Sequence, residues 1–206
     1  MATVRRFAPG DRVVLFNGDG GEYTAEIVGA SKKQVALRVF EREEPAREVP
    51  FPIAVGSAIP KADRLDFLIE KLVEVGATRF VPLVTERTVV RPKAEKLEGW
   101  RRSVIEASKQ CGRNVLMAID KPMSAKDYLV AEPSADRFIL HTSGGGHRPQ
   151  PTGGSIAFAV GPEGGFTDGE IAAAVAAGWR ILSGGPRVLR VETAAIVAAS
   201  WAAAGQ

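Results

Sequence analysis

Two glycine-rich loops in the last third of the chain, each closing an apolar run, limit the fold more tightly than any other feature. Gly161-Pro162-Glu163-Gly164-Gly165 follows Ile156-Ala157-Phe158-Ala159-Val160. Ser183-Gly184-Gly185-Pro186-Arg187-Val188-Leu189-Arg190 follows Trp179-Arg180-Ile181-Leu182. Each loop opens into a helical pattern. Glycine has no Cβ, so backbone at such loops can come close to a small ligand. A pair of strand ends built this way implies a ligand-binding α/β domain.

The preceding residues supply the other elements of such a domain. Glu41-Arg42-Glu43-Glu44-Pro45-Ala46-Arg47-Glu48 is charged and carries a proline, which marks a boundary between residues 1–48 and 49–206. Phe51 to Ser57 reads as a strand. Asp63 caps a helix whose apolar positions are Leu65, Leu68, Ile69 and Leu72, and Gly76 ends it. Arg79 to Val84 is a strand, and Pro82 places it at a sheet edge. Gly99 to Gln110 is helical, with Trp100, Val104, Ala107 and Cys111 on one face. Arg137 to His141 is a strand, Thr142 to Gly154 a loop, and Ser155 to Val160 a buried strand. Thr167 and Glu170 form a capping box for a helix that runs to Gly178. Trp179 to Leu182 is the last strand, and Val191 to Ala203 an alanine-rich helix. Alternating strands and helices imply a parallel sheet covered on both faces. Ligands then bind beyond the carboxyl ends of the strands, here Leu140-His141-Thr142, Val160-Gly161 and Leu182-Ser183-Gly184.

The first segment has β texture instead. Arg12 to Phe16, Glu22 to Val28 and Gln34 to Phe40 are short strands separated by the turns Asn17-Gly18-Asp19-Gly20-Gly21 and Ser31-Lys32-Lys33. Three strands alone leave long unpaired edges, so a small barrel, or part of one, is expected.

Composition removes several classes. With 45% hydrophobic and 25% charged residues, the chain is ordinary for a soluble globular protein. Its single cysteine, Cys111, excludes an internal disulfide and fits a reducing cytoplasm. No apolar run reaches the ~18 residues of a membrane span, and the N-terminus lacks the apolar core of a signal peptide. The net charge of +3 is unevenly placed: 0 over residues 1–50, +5 over 51–126 and −2 over 127–206. A basic middle suggests a polyanionic partner, although a solvated helical face accounts for such a local excess equally well.

Motif chemistry narrows the rest. There is no Gly-x-x-x-x-Gly-Lys-[Ser/Thr], no Gly-x-Gly-x-x-Gly after the first strand of the α/β region, and no Gly-x-Ser-x-Gly elbow. Only His141 and His147 are available, and neither is spaced with carboxylates as a metal site requires, so no metal is expected. What remains is a site made mainly of backbone, with Glu163, Arg190 and Glu192 as nearby charges. That suits a bulky cofactor carrying its own reactive group.

Gly161-Pro162-Glu163-Gly164-Gly165-Phe166 and Arg187-Val188-Leu189-Arg190-Val191-Glu192-Thr193-Ala194 resemble the SPOUT methyltransferases, and more narrowly the bacterial 16S ribosomal RNA uridine-N3 methyltransferase (RsmE) family. Lys61-Ala62-Asp63-Arg64, Glu70-Lys71-Leu72-Val73-Glu74-Val75-Gly76-Ala77 and Glu106-Ala107-Ser108-Lys109-Gln110-Cys111-Gly112-Arg113 agree with it. The resemblance spans nearly the whole chain. It implies a C-terminal trefoil knot, one of the rare exceptions to unknotted topology, with the glycine loops wrapping S-adenosyl-L-methionine. Leu140, His141 and Thr142 would line one side of that cofactor, and Val160, Gly161, Glu163 and Gly164 the second. Leu182, Ser183, Gly184, Val188, Leu189 and Thr193 would line the third.

The implied reaction is attack of uridine N3 on the sulfonium methyl, with Arg190 stabilising the uridine anion and Glu163 positioning the base or taking its proton. The implied partners are 16S ribosomal RNA within the 30S subunit and a second copy of the chain, in the cytoplasm. The RNA would meet Lys61, Arg64, Arg87, Arg101, Arg102 and Arg113. The first segment resembles that family's PUA-like RNA-binding barrel, but it opens one or two strands late. An enzyme acting on tRNA or another base, and a relative that binds RNA without catalysis, stand as alternatives. Outside the site, Cys111 and Trp100 read as packing residues, and Asp168 and Glu170 as helix N-terminal charges.

Overall fold

A computed structural model describes residues 8–31, 33–61, 64–91, 94–145, 149, 152 and 154–204. Asp63 and His147 therefore lie outside the described residues. The chain divides into two units, residues 8–48 with 112–116, and residues 49–111 with 117–204.

The first unit is an antiparallel sheet of β1 (Arg12–Leu15), β2 (Glu22–Ala30) and β3 (Val35–Glu43), in the order β1-β2-β3. Ala25 and Ile27 of β2 are buried, while β3 is exposed along its whole length. The turn before β2 is built by a short polar side chain, as Asp19 Oδ1 accepts the Gly21 N–H at 2.8 Å. Tyr23 donates its hydroxyl to Asp19 Oδ2 at 2.7 Å and accepts from Arg42 Nε at 3.1 Å. Arg47 donates to Glu22 and to the Gly112 carbonyl. Residues 112–116 thus return to this unit, where the Asn114 carbonyl accepts the Gly20 N–H at 3.2 Å. Sequence reading misses that return, because nothing local marks it.

The second unit is a parallel sheet in the order β10-β8-β9-β4-β5-β6, with β7 also paired to β5. Its strands are β4 (Ile53–Ala58), β5 (Arg79–Val84), β6 (Ala118–Ile119), β7 (Met123–Ser124), β8 (Asp136–Gly145), β9 (Ile156–Val160) and β10 (Arg180–Leu182). Every pairing in this sheet is parallel. Between them run α1 (Arg64–Glu74), α2 (Leu97–Cys111), α3 (Ala125–Ala131) and α4 (Asp168–Ala176), and α5 (Val191–Ala203) follows the last strand. The helix α1 packs on α2 and α5, and α5 packs on β4 and β9, while α3 and α4 pack together. The central strands β4 and β9 are buried at every position, which is why each reads as a continuous apolar run rather than an alternating one.

The core beneath α3 and α4 gathers Ala54, Val81, Leu83, Ala157 and Ala159 from the sheet with Tyr128, Leu129, Phe166 and Trp179. Small residues on β4 leave room for large ones on α3. A Cβ on Gly56 would stand 2.4 Å from the Tyr128 ring. Tyr128 is fully buried and donates its hydroxyl to the Phe158 carbonyl at 3.2 Å. Burial pushes that hydroxyl's pKa well above its ordinary value. Trp179 donates its indole N–H to the Leu129 carbonyl at 2.8 Å, so both polar handles are satisfied inside the core.

Three expectations change. The strand containing Pro82 is internal rather than at an edge, since β4 pairs along one side of it. On the other side β6 pairs with Arg79 and Phe80, and β7 with Leu83 and Val84. Pro82 falls in the gap between those two neighbours, where a missing donor costs no ladder bond. Second, β8 continues to Gly145, beyond the expected end at His141. Third, Ser108 is buried in α2, whereas Cys111 is only half-buried.

Candidate functional site

The ends of β8, β9 and β10 meet around a cleft of about 320 Å³, within the range of small-ligand sites. Its walls are three backbone segments. The first is Leu140, His141 and Thr142 of β8. The second runs from Val160 through Phe166. The third runs from Ser183 to Gly185 and on through Arg187, Val188 and Leu189 to Val191 and Ala194.

The β8 wall exists because its ladder with β10 skips. Ile181 lies opposite Ile139, but Leu182 lies opposite Gly145. Residues 140–144 therefore stand outside that ladder, and Leu140, His141 and Thr142 among them line the cleft. Pairing resumes where the Ser183 N–H donates to the Gly145 carbonyl at 3.1 Å. The seam needs glycine, because a Cβ on Gly144 would lie 2.7 Å from the Leu182 carbonyl carbon. At the edge of the wall, His141 Nδ1 lies 3.2 Å from the Ser143 N–H and 2.6 Å from the Ser143 hydroxyl oxygen.

The second wall is a tight turn, closed by the Gly165 N–H donating to the Pro162 carbonyl at 2.8 Å. Gly165 and Gly185 both have positive φ, of 68° and 105°, and open space where a Cβ would stand. Each therefore offers uncovered backbone to a ligand. The turn leads into α4 through a complete capping box. Thr167 Oγ1 accepts the Glu170 N–H at 3.2 Å, and Glu170 Oε2 accepts the Thr167 N–H at 2.9 Å. The other oxygen of Glu170 accepts the Glu86 N–H at 3.0 Å, which ties the loop after β5 to the start of α4. Glu170 is thus a helix N-terminal charge, as its position in sequence implies.

Most of the expected cofactor residues lie in the cleft wall, including Leu140, His141, Thr142, Val160, Gly161, Glu163, Gly164, Ser183, Gly184, Val188 and Leu189. Two do not. Leu182 is buried in the core at 2% exposure, and Thr193 is exposed on the first turn of α5. Both belong to the right segments, but strand and helix periodicity turn their side chains elsewhere. Glu163 lines the cleft and is exposed. Arg190 is the N-cap residue of α5, exposed and outside the cleft wall, although its neighbours Leu189 and Val191 line it. Among the described residues, Arg190 makes no side-chain hydrogen bond or ion pair. Glu192 is buried and accepts from Arg64 at 2.6 Å, which joins the first turns of α1 and α5.

The expected RNA-facing cations divide. Lys61, Arg101 and Arg102 are exposed, and Arg101 pairs with Glu98. Arg64 is spent partly on Glu192. Arg113 is corrected: it is buried, with its guanidinium held by Glu48 at 2.6 Å, so it presents no surface charge. Arg87 reaches the cleft itself, where its Nη1 donates to the Gly164 carbonyl at 2.7 Å. Phe166, Arg187 and Ala194 are wall residues that sequence reading did not single out as ligand contacts. All three lie inside the quoted motifs, so position within a motif is the available signal.

Among the described residues, no group of three or more His, Cys, Asp or Glu side chains is placed to hold a metal ion. No helix among them is long and apolar enough to cross a membrane.

Residues 47–203 match the family model described as an RNA methyltransferase domain, and residues 1–40 the RNA methyltransferase PUA domain. The chain is 34% identical to the ribosomal RNA small subunit methyltransferase E of Synechocystis, over 96% of this chain and 67% of that protein. It is 30% identical to the Bacillus subtilis protein of the same name, over 97% and 84%. A crystal structure of the Neisseria gonorrhoeae protein of that name, bound to S-adenosyl methionine, superposes with a TM-score of 0.87. It is 32% identical and covers 97% of this chain and 85% of that one. A Legionella pneumophila structure in complex with the bound cofactor SAM superposes with a TM-score of 0.89. It is 38% identical, over 97% and 85%.

Proposed function

The chain belongs to the ribosomal RNA small subunit methyltransferase E family, and from that premise we propose that it methylates N3 of a uridine in 16S ribosomal RNA. It is an S-adenosylmethionine-dependent RNA methyltransferase acting on the small-subunit ribosomal RNA. The observation that supports the cofactor-dependent reading is the backbone-walled cleft, while the choice of N3 follows the family resemblance. An adenosine-bearing cofactor needs apolar walls and main-chain hydrogen-bonding groups, and the three segments supply both. Gly165 and Gly185 fit such a group, because their backbone is uncovered and open space lies where a Cβ would stand.

When bound, the cofactor supplies an activated methyl group. The chain's own residues then have to hold the base and manage its proton. Uracil N3 is protonated in the neutral base. Arg190, exposed beside the cleft without an acidic partner, is the cation suited to stabilise charge on O2 or O4. Glu163, exposed in the cleft wall, is the group suited to orient the base or accept the N3 proton. Positioning supplies much of the acceleration, since the methyl group arrives activated.

The trefoil knot implied by the family resemblance is part of this reading. Its support is the return of α5 onto β4, β9 and α1 after the second glycine loop. A homodimer is also part of it, as the family resemblance implies. Assembled 30S subunits in the cytoplasm are the proposed substrate, with Lys61, Arg101 and Arg102 meeting the RNA backbone.

The test is incubation with 30S subunits followed by nucleoside mapping, for the wild type, Glu163→Ala and Arg190→Ala. The expected outcome is 3-methyluridine at one position with the wild type, and turnover reduced about a hundredfold in each variant. Methylation at another atom would overturn the N3 reading. Near-normal turnover of both variants would overturn the residue roles.

A further inference from the structure

We propose that Arg87 is a positioning residue for the cofactor, fastening the Gly161–Phe166 turn in its ligand-ready shape, rather than an RNA contact; this rests on the cofactor reading of the cleft given above. Arg87 comes from the loop after β5, far in sequence from the turn it meets. Its Nη1 donates to the Gly164 carbonyl at 2.7 Å and also contacts the Phe166 carbonyl at 3.4 Å. One guanidinium nitrogen thereby bridges the tip of the turn and its exit. Apart from that, the turn has its own Gly165-to-Pro162 hydrogen bond and the capping box that follows it.

The loop carrying Arg87 is itself braced. The Thr85 N–H donates to Thr88 Oγ1 at 2.7 Å, and the Thr88 N–H donates to the Thr85 carbonyl at 3.2 Å. The neighbouring Glu86 N–H is held by the buried Glu170. Arg87 and Glu86 thus hold the glycine turn at its tip and its exit, one through its carbonyls and the other through the helix it feeds. A Cβ on Gly164 would come within 3.4 Å of the Arg87 side chain, so the turn and the arginine are in packing contact as well. A charged donor shared between carbonyls is stronger than a neutral one. The geometry also suits Arg better than Lys, because a planar guanidinium is pre-organised for such bonds.

The experiment compares wild type, Arg87→Ala and Arg87→Lys by calorimetry with S-adenosylmethionine, RNA binding, and hydrogen exchange at the Gly165 and Phe166 amides. Arg87→Ala is expected to weaken cofactor binding about tenfold, the loss of one charged hydrogen bond. It should speed exchange at those two amides while leaving exchange in β4 and the RNA affinity unchanged. Arg87→Lys should recover part of the cofactor affinity. Weakened RNA binding with unchanged cofactor affinity would overturn the proposal, as would unchanged exchange in the turn. Loss of protection in β4 would also overturn it, by revealing a merely structural role. Absence of cofactor binding by the wild type would instead overturn the cofactor reading, and is thereby distinguishable.

Discussion

The central strands of the parallel sheet and the outer strand of the N-terminal sheet are held in opposite ways. In β4 and β9 every residue is buried, and apolar contact with the helices fixes their place. In β3 every residue is exposed, and the strands around it are tied by charged and polar side chains. Tyr23 bridges Asp19 and Arg42, Arg47 reaches Glu22 and Gly112, and Arg113 holds Glu48. The lesson is that apolar burial on both faces dominates at the centre of the parallel sheet, while side-chain hydrogen bonds and ion pairs weigh more in the thinly buried N-terminal sheet. The two units should then answer differently to the same perturbation.

The strongest way to break this contrast is steric. Gly56→Ala forces a methyl group against the fully buried Tyr128 ring. It should destabilise the parallel-sheet unit by about 3 kcal/mol. Urea unfolding followed through the buried Trp179 checks this, and an unchanged midpoint would show that the core is loose. A smaller effect is expected from Arg113→Ala, which strips a buried cation from Glu48. Glu48 keeps some access to water, so the cost should be about 2 kcal/mol, below that of a fully buried pair. Hydrogen exchange in β1 to β3 should register it, while β4 and β9 stay protected.

The smallest effect concerns acid. The Arg47 hydrogen bond holds the Glu22 carboxyl below its ordinary pKa, and the Tyr23 hydroxyl does the same for Asp19. A carboxyl with a lowered folded pKa binds protons less readily than in the unfolded chain. Its contribution is complete above the unfolded value, near 4.5 for Glu22, and is lost as pH falls through the folded one. Amides of β2 and β3 should therefore lose protection as pH falls below about 4.5, before those of β4 and β9. If both sheets lost protection together, the division of labour would be wrong.

The same contrast explains what the sequence makes legible. Buried parallel strands announce themselves, because both faces demand apolar side chains. The glycine loops stand out because they interrupt those strands, and Thr167 with Glu170 marks its helix start locally. The grip of Arg87 on Gly164 could not be read, since the two are brought together only by the order of strands in the sheet. The return of residues 112–116 to the first unit is hidden for the same reason. Arg113 sits in a basic stretch that suggests a surface, yet its burial depends on Glu48, a residue far away in sequence. Pro82 misled because an interior strand can still have a neighbour that is interrupted. Leu182 and Thr193 show a finer limit: a motif locates a wall segment, but the twist of the backbone decides which of its side chains face inward.

The skip between β8 and β10 has a consequence for how the protein matures. The cleft has no wall that is complete from local sequence. Ile139 and Gly145 must both find β10, and α5 must then settle on β4, β9 and α1. Long-range parallel pairings of this kind form slowly. A nascent chain that has emerged only as far as β9 can have most of its sheet and still offer no pocket. Cofactor capture is therefore a late event in the life of each molecule, and retention on an immobilised cofactor would separate finished molecules from those still folding.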